Sequence, residues 1–187
     1  LDWTAIRQAL SGKRVLVTGG GGSIGAELCR QVARLGASAL GILEQSEYNL
    51  YQIERQLKRE FPDLELDAAL GDVCDPATCR HVMETLRPQV VFHAAAYKHV
   101  PLLQQQLREA FRNNVLGTRA IALAADEAGV ETFVLISSDK AVNPANVMGA
   151  TKRVAEIFCQ NLAKRSRTCF LTVRFGNVLD SAGSVVP

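Results

Sequence analysis

Three glycines between an apolar run and a helical pattern constrain this chain more than any other feature. Gly19, Gly22 and Gly25 stand three residues apart, directly after the apolar run Val15 to Val17. A strand that turns sharply into a helix presents backbone N–H groups and the positive end of the helix dipole, which can hold a phosphate. Gly19 would permit the tight turn, Gly22 the close approach of a pyrophosphate, and Gly25 close packing of helix on strand.

The glycine spacing is one residue longer at its start than the usual dinucleotide fingerprint. Its position between strand and helix nevertheless favours dinucleotide binding over a plain tight turn. The residues expected to hold the phosphates are Gly19, Gly22, Ser23, Ile24 and Gly25.

Short apolar segments alternate with helical segments along the whole chain. This alternation is typical of a parallel sheet with helices on both faces, and right-handed crossovers give a Rossmann-type, doubly wound α/β fold. We predict the strand order 3-2-1-4-5-6. The predicted strands are Val15–Thr18, Ala39–Leu43, Leu64–Leu70, Val90–His93, Phe133–Ile136 and Phe170–Val173. The predicted helices are Asp2–Leu10, Ser23–Leu35, Ser46–Glu60, Asp75–Leu86, Pro101–Ala128 and Met148–Lys164.

The composition favours one globular domain and excludes several kinds of partner. Of the 187 residues, 48% are hydrophobic and 21% are charged, which is ordinary for a soluble chain. The net charge of +2 comes from scattered basic residues and gives no electrostatic footprint for nucleic acid. The longest apolar runs, such as Ala120 to Ala125, are too short to span a membrane, and no signal peptide is evident.

The cysteines indicate a reducing compartment and no metal site. There are five of them, an odd number, and none forms a CxxC pair. Cys74, Cys79 and His81 lie close in sequence, but the second pair of ligands that a zinc site needs is missing.

We expect residues 1–187 to be one dinucleotide-binding domain within a longer protein, because the chain starts at Leu1 rather than Met. The lead-in helix covers residues 2–10. From about residue 176 the chain should enter a substrate lobe of which only the start is included.

Two acidic residues that follow predicted strands could contact a cofactor, since parallel sheets bind ligands at the carboxyl ends of their strands. A carboxylate at Glu44 could accept both ribose hydroxyls and repel a 2′-phosphate, which favours NAD over NADP; the alternative is an acid that caps the next helix. Asp72 could accept a hydrogen bond from the adenine amino group, or it could be a turn residue. The other expected cofactor contacts are Val73, Ala94, Ala95 and Ala96.

A second informative pattern follows the fifth strand. Ser138 precedes a helix in which Met148 and Lys152 stand four residues apart and therefore share one face. A hydroxyl followed by Tyr-x-x-x-Lys is the catalytic pattern of the short-chain dehydrogenase/reductase superfamily, which this region resembles. Met148 stands in place of the tyrosine, and a thioether can neither donate nor take a proton. An ordinary alcohol dehydrogenase mechanism therefore does not fit.

Six stretches of sequence make the resemblance more specific. In this order they resemble the extended short-chain dehydrogenases of polysaccharide biosynthesis, and among these the CapD-like nucleotide-sugar 4,6-dehydratases. The stretches are VTGGGGSIGAEL, LGDV, FHAAAYKHVP, NNVLGT, ISSDKAVNPANVMGATKRVAE and VRFGNV. Some members of this family also carry methionine at the tyrosine position, so Met148 fits the family. Asp180 stands where a glycine is common, which implies a different local loop geometry.

The resemblance implies tightly held NAD, UDP-N-acetylglucosamine or a close relative as substrate, and a set of residue roles. Hydride leaves sugar C4, the C5 proton is removed, the C6 hydroxyl leaves as water, and hydride returns to C6. Lys140 would be the C5 base and Asp139 the C6 acid, while Ser138 would bind the C4 hydroxyl and Lys152 the nicotinamide ribose. The residues expected at the substrate are Lys98, Arg174 and Asn177.

The acid–base roles need a neutral lysine and a protonated aspartate, which are not the default states near neutral pH. Adjacent residues in extended backbone point to opposite sides, so direct pairing of Asp139 with Lys140 is not forced. Burial under the sugar would favour the neutral form of each group. The alternative is that the two residues form an exposed turn pair.

Two other functions share part of this pattern. A nucleotide-sugar 4-epimerase has the same fold and cofactor, but it would normally use the tyrosine that Met148 replaces. A non-catalytic NAD-binding sensor would not need Lys152 or the Ser-Asp-Lys cluster. The resemblance also implies a homo-oligomer and a cytoplasmic domain, in a parent protein that could carry membrane helices. The apolar stripe of the last helix fits oligomer formation or core burial.

Four polar residues within these stretches have open roles. His93, at the end of the fourth strand, is expected to be structural, and His99 is a weaker candidate for a base. Asn113 and Asn114 interrupt the long fifth helix, where they predict a kink or a carbonyl exposed for a water chain.

Overall fold

All six predicted strands form one parallel sheet. The computed structural model describes residues 2–178. The strands are β1 (Arg14–Thr18), β2 (Ala39–Glu44), β3 (Glu65–Leu70), β4 (Val90–His93), β5 (Thr132–Ser138) and β6 (Cys169–Phe175). Their order in the sheet is β3-β2-β1-β4-β5-β6, which confirms the predicted doubly wound fold. Because β1 pairs with β2 on one side and with β4 on the other, the order reverses next to the glycine turn.

Helices cover both faces of this sheet. They are α1 (Trp3–Leu10), α2 (Ser23–Arg34), α3 (Glu47–Glu60), α4 (Pro76–Leu86), α5 (Val100–Gln105), α6 (Leu107–Phe111), α7 (Thr118–Glu127) and α8 (Val147–Ala163). Side chains cap several of them: Asp75 accepts hydrogen bonds from the N–H groups of Ala77 and Thr78, and Ser46 accepts one from the N–H of Asn49.

The core consists of two apolar layers, one on each face of the sheet. Alternate residues of β1 point to opposite faces, so Val15 and Val17 join one layer and Leu16 joins the other. All three are essentially inaccessible to solvent. A strand buried on both faces has to be almost wholly apolar, which is why this short run was readable from the sequence.

The fifth predicted helix differs from expectation. Instead of one helix over Pro101–Ala128, the chain forms α5, α6, a π-helical segment (Arg112–Gly117) and α7. Both asparagines of the π-helical segment are buried, and the Asn114 side chain bonds outside its own helix, to Tyr97 and Thr151. Isolated π-helical turns often occur at functional sites, and this one faces the ends of the strands.

The predicted substrate lobe is barely sampled, because only residues 176–178 of it belong to the described part of the chain. Asp180 lies outside the described residues. Within residues 2–178, none of the helices has both the length and the apolar character needed to cross a membrane.

Candidate active site

The glycine turn joins β1 to α2 in a conformation that only glycine supports. Gly19 has a φ of +68°, and a Cβ there would lie 2.7 Å from the backbone of Ala95. A Cβ on Gly25 would overlap the carbonyl oxygen of Gly19. Gly22 is the N-cap of α2 and provides no side-chain cap, and a Cβ there would meet nothing closer than 3.4 Å. The turn therefore leaves open space at the positive end of a 12-residue helix.

Glu44 lies beside this turn and braces it. One carboxylate oxygen accepts a hydrogen bond from the Gly21 N–H at 3.0 Å, and the other accepts one from the Ser46 N–H at 3.0 Å. The side chain is buried, yet it lines the cavity next to Gly22. The contact with the start of the next helix is thus observed, while contact with a cofactor ribose stays a prediction.

Asp72 occupies a turn and is already hydrogen-bonded at both oxygens. It accepts from the Cys74 N–H at 2.8 Å and from the Arg112 guanidinium at 2.7 Å. Burial raises the pKa of Asp72, but these hydrogen bonds outweigh burial and hold the pKa below its usual value. Gly71 and Val73 line the cavity beside Glu44, and Asp72 does not. This geometry fits the turn alternative better than contact with adenine.

A groove runs along the carboxyl ends of the strands and brings most of the predicted site residues together. Its first part contains Glu44, Val73 and the three alanines Ala94, Ala95 and Ala96, and its middle contains Ser23, Ile24 and Gly25. Its last part is a cavity of about 380 Å³ with Ser138, Lys140 and Lys152 in its walls. Ala94, Ala96 and Tyr97 line all three parts, so the groove is continuous.

The Ser138–Asp139–Lys140 cluster closes one end of the groove. A 3₁₀ turn over Asp139–Ala141 follows β5, so the backbone is not extended there and the two charged side chains meet. The Lys140 Nζ donates to Asp139 Oδ1 at 3.1 Å and to Asn177 Oδ1 at 3.1 Å. The Ser138 hydroxyl donates to the same Asp139 oxygen at 3.0 Å. The two side chains are thus in direct contact in an exposed turn, the geometry that the sequence left as the alternative, and their catalytic roles stay a prediction.

Hydrogen bonds from Lys140 and Ser138 lower the pKa of Asp139 in this exposed pair. Asp139 is half exposed and does not itself line the cavity, whereas Lys140 does. Asp139 is therefore held as a carboxylate in this open site.

Helix α8 places Met148 and Lys152 side by side in the cavity wall. Met148 is buried and packs with Leu103 and Ala110. The Lys152 ammonium donates to the carbonyl of Ile136 on β5. Burial lowers the pKa of Lys152 to about 8, and the negative charge of Glu156 opposes part of this shift. No proton-transfer group stands at the tyrosine position.

The loop after β4 forms the opposite wall of this cavity. Lys98 and His99 line two of the three parts of the groove, and Tyr97 lines all of them. The Asn114 side chain holds the loop, because it accepts from the Tyr97 N–H at 2.8 Å and donates to the Tyr97 carbonyl at 3.0 Å. Asn114 thus positions a wall of the groove from within the π-helical segment.

Arg174 does not join the other predicted substrate residues. Its guanidinium forms two hydrogen bonds to Glu156, Nε to Oε1 at 2.8 Å and Nη2 to Oε2 at 2.7 Å. Asn177, three residues further along, does line the cavity. The structure thus places the Arg174 guanidinium in an ion pair with a buried carboxylate, and its contact with the sugar diphosphate stays a prediction.

His93 is fully buried in a relay of hydroxyl groups. The Thr118 hydroxyl donates to the Asn114 carbonyl at 2.7 Å, so it accepts from His93 Nε2, which lies 2.9 Å away. The other ring nitrogen, Nδ1, then accepts from the Thr18 hydroxyl at 2.7 Å. Burial, assisted by the charge of Lys152, lowers the pKa of His93 to about 3. The ring is neutral and structural, as the sequence predicts.

This burial predicts an acid-sensitive fold. Between pH 6.5 and about 3 the unfolded chain binds a proton at His93 that the native state excludes. The free energy of unfolding should therefore fall by up to about 1.4 kcal/mol per pH unit as the pH drops below 6.5. Urea unfolding of the wild type and of His93→Asn at several pH values measures this effect. The variant should lose that part of the slope, and equal slopes would contradict the assignment.

Within residues 2–178, no three His, Cys, Asp or Glu side chains gather in a way that could hold a metal ion.

Comparison with known proteins identifies the family. The sequence matches the family described as "Polysaccharide biosynthesis protein" over residues 15–187. The chain belongs to this family. The resemblance to the extended short-chain dehydrogenases of polysaccharide biosynthesis is thereby confirmed.

Individual members of the polysaccharide biosynthesis family agree with this placement. The chain is 50% identical over 188 residues to the probable polysaccharide biosynthesis protein EpsC of Bacillus subtilis, covering 100% of this chain and 31% of that protein. It is 34% identical over 180 residues to a UDP-N-acetylglucosamine 4,6-dehydratase (inverting) of Campylobacter jejuni, covering 95% of this chain and 52% of the relative. The chain thus spans 31% of the length of the first relative and 52% of the length of the second.

A solved structure shows the same fold. The X-ray structure of Pen from Bacillus thuringiensis superposes with a TM-score of 0.84 at 35% identity. The match covers 94% of this chain and 53% of that one.

Proposed function

We propose that this protein is a nucleotide-sugar 4,6-dehydratase that uses tightly held NAD and acts on UDP-N-acetylglucosamine or a close relative. The observation that carries the proposal is the direct contact of Asp139 with Lys140, 3.1 Å apart, at the end of a groove that begins at a glycine turn. The C. jejuni relative, named for this reaction, supports the same assignment.

The groove fits a dinucleotide. The open space above Gly22, the helix N-terminus behind it and the bare backbone of Ala94–Ala96 suit a pyrophosphate and a flat nucleotide. Ser23 and Ile24 would lie next to the phosphates, Glu44 next to the adenosine ribose and Lys152 next to the nicotinamide ribose. When bound, NAD supplies the chemistry that withdraws a hydride from sugar C4 and returns it at C6.

The charged Asp139–Lys140 pair is one proton transfer away from the states that the reaction needs. A proton that moves from the Lys140 ammonium to the Asp139 carboxylate gives a neutral base and a protonated acid, with no change in net charge. Loss of water from the site favours the neutral pair, because burial disfavours both charged forms. Lys140 can then take the C5 proton, which a C4 ketone acidifies, and Asp139 can protonate the departing C6 hydroxyl.

The remaining residues of the cavity would position the sugar. Ser138, at the end of β5, would hydrogen-bond the C4 hydroxyl, and Lys98 and Asn177 would contact the substrate from opposite walls. Met148 supplies shape and no proton transfer. That favours a dehydratase over a 4-epimerase, and the retained lysines and Ser138 favour an enzyme over a non-catalytic NAD sensor.

One assay separates these three functions. The full-length protein is incubated with UDP-N-acetylglucosamine and NAD, and the product is analysed by mass spectrometry. Loss of one water supports the proposal. A product of equal mass but changed configuration would show an epimerase, and unchanged substrate in the presence of bound NAD would favour the sensor; either result overturns the proposal.

The position of Glu44 predicts the choice of cofactor. A carboxylate beside the adenosine ribose repels a 2′-phosphate, and close like charges cost about 1 kcal/mol or more even in water. We therefore expect NAD to bind about tenfold more tightly than NADP, measured by isothermal titration calorimetry at fixed ionic strength. Equal or tighter binding of NADP would remove Glu44 from the cofactor site.

A further inference from the structure

Glu156 is a buried carboxylate that the sequence analysis did not single out. Its side chain has no solvent-accessible surface, and it accepts four hydrogen bonds from three residues. The donors are the hydroxyl of Ser137 at 2.7 Å, Arg153 at 3.0 Å, and Arg174 at 2.8 and 2.7 Å. Burial raises the pKa of Glu156, but these hydrogen bonds outweigh burial and lower it to about 2. Glu156 is therefore negatively charged near neutral pH.

The partners of Glu156 come from three elements that build the active site. Ser137 directly precedes Ser138 at the end of β5, and Arg174 lies on β6, three residues before Asn177. Glu156 itself lies on α8, one helical turn after Lys152. A single carboxylate thus ties the ends of two strands to the helix that carries the site lysine.

A second observation concerns Lys152, whose ammonium is buried and hydrogen-bonded to the carbonyl of Ile136. A buried ammonium tends to lose its proton, because a medium of low dielectric constant penalises charge. Residues at i and i+4 are neighbours on a helix, so Glu156 is well placed to oppose this loss.

We propose that Glu156 is a positioning residue of the site, whose buried negative charge keeps the Lys152 ammonium protonated while its hydrogen bonds hold β5 and β6 against α8. The inference concerns the protonation of Lys152 in the protein alone, so it does not depend on which sugar or reaction the site serves.

Among the described residues, few polar or charged groups lie close to Glu156 and Lys152. On α8 they are Arg153, beside Glu156, and the Cys159 thiol, which is near Lys152. From the strands they are the Ser137 hydroxyl, the Ile136 carbonyl, the Arg174 guanidinium and the buried, neutral ring of His93, which the charge of Lys152 reaches. Burial lowers the pKa of Lys152, and the negative charge of Glu156 is the largest effect that raises it.

The test is a direct titration of Lys152 by NMR, in protein labelled with ¹³C and ¹⁵N at lysine. The signal is assigned by its absence in Lys152→Met. Removal of the charge in Glu156→Gln should move the Lys152 titration downward by about one pH unit or more from its value near 8. In contrast, Arg153→Gln removes a positive charge and keeps Glu156, so it should move the titration upward.

The opposite signs separate an electrostatic role from a purely structural one. If Glu156 only held the fold together, Glu156→Gln would lower the melting temperature and leave the titration unchanged, which would overturn the proposal. Downward shifts in both variants would overturn it as well. If Glu156→Gln does not fold, Arg174→Gln replaces it. That variant keeps Glu156 and removes a positive charge from a half-buried arginine, so an upward shift supports the proposal and no shift or a downward shift contradicts it.

Discussion

Replacing Lys140 by methionine should reduce the rate of water loss from the nucleotide sugar by about 10²- to 10⁴-fold, the usual contribution of a general base. The affinity for NAD should be unchanged, because Lys140 lies at the far end of the groove from the glycine turn. Lys164→Met, at the exposed end of α8, is the matched control and should turn over like the wild type.

Asp139→Asn separates the two proton transfers. In D₂O the proposed base should exchange the C5 hydrogen of recovered substrate, so Lys140→Met should abolish exchange as well as water loss. Asp139→Asn should lose water elimination but retain measurable exchange, because the acid acts only on the C6 hydroxyl. Full turnover by either variant, or exchange that survives in Lys140→Met, would refute these roles.

The second large effect is expected at Gly25. A Cβ there would overlap the Gly19 carbonyl, so Gly25→Ala has to open the turn and should weaken NAD binding by about 100-fold or more. The thermal stability should fall with it, despite the better helix propensity of alanine.

Gly22→Ala and Gly129→Ala make the comparison specific. A Cβ on Gly22 projects into open space beside the helix N-terminus, so this variant should weaken NAD binding without a loss of stability. Gly129 has a φ of +70° and nothing within 4 Å of its Cβ position. Gly129→Ala therefore measures only the free-energy cost of placing alanine in a left-handed conformation, and it should leave NAD binding intact. Unchanged affinity in both groove variants would show that the turn does not hold the diphosphate.

The fold was predictable because short stretches of sequence indicate which residues are buried and where helices begin. The run Val15–Val17, the N-cap at Asp75 and the glycine turn each show their environment within a few residues. The parallel pairing and strand order then followed from the alternation of elements. The break in the predicted helix Pro101–Ala128 was less accessible, because it depends on what Asn114 meets elsewhere in the fold.

Long-range side-chain pairing explains what the sequence left unresolved. Arg174 and Glu156 are 18 residues apart on different elements, and no local sequence pattern predicts their ion pair. The contact between Asn177 and Lys140 spans 37 residues. The direct pairing of Asp139 with Lys140 required a 3₁₀ turn where extended backbone was expected. A signal was available for Glu156, an acid four residues after Lys152 in an otherwise apolar stripe.

The most direct measurement is a structure of the full-length protein with NAD and UDP-N-acetylglucosamine bound. The expected complex has the pyrophosphate at Gly22 and Ser23, the hexose between the nicotinamide and the Asp139–Lys140 pair, and the Lys140 Nζ within proton-transfer distance of C5. A diphosphate bound away from the glycine turn, or a hexose whose C5 and C6 face away from these two side chains, would contradict it.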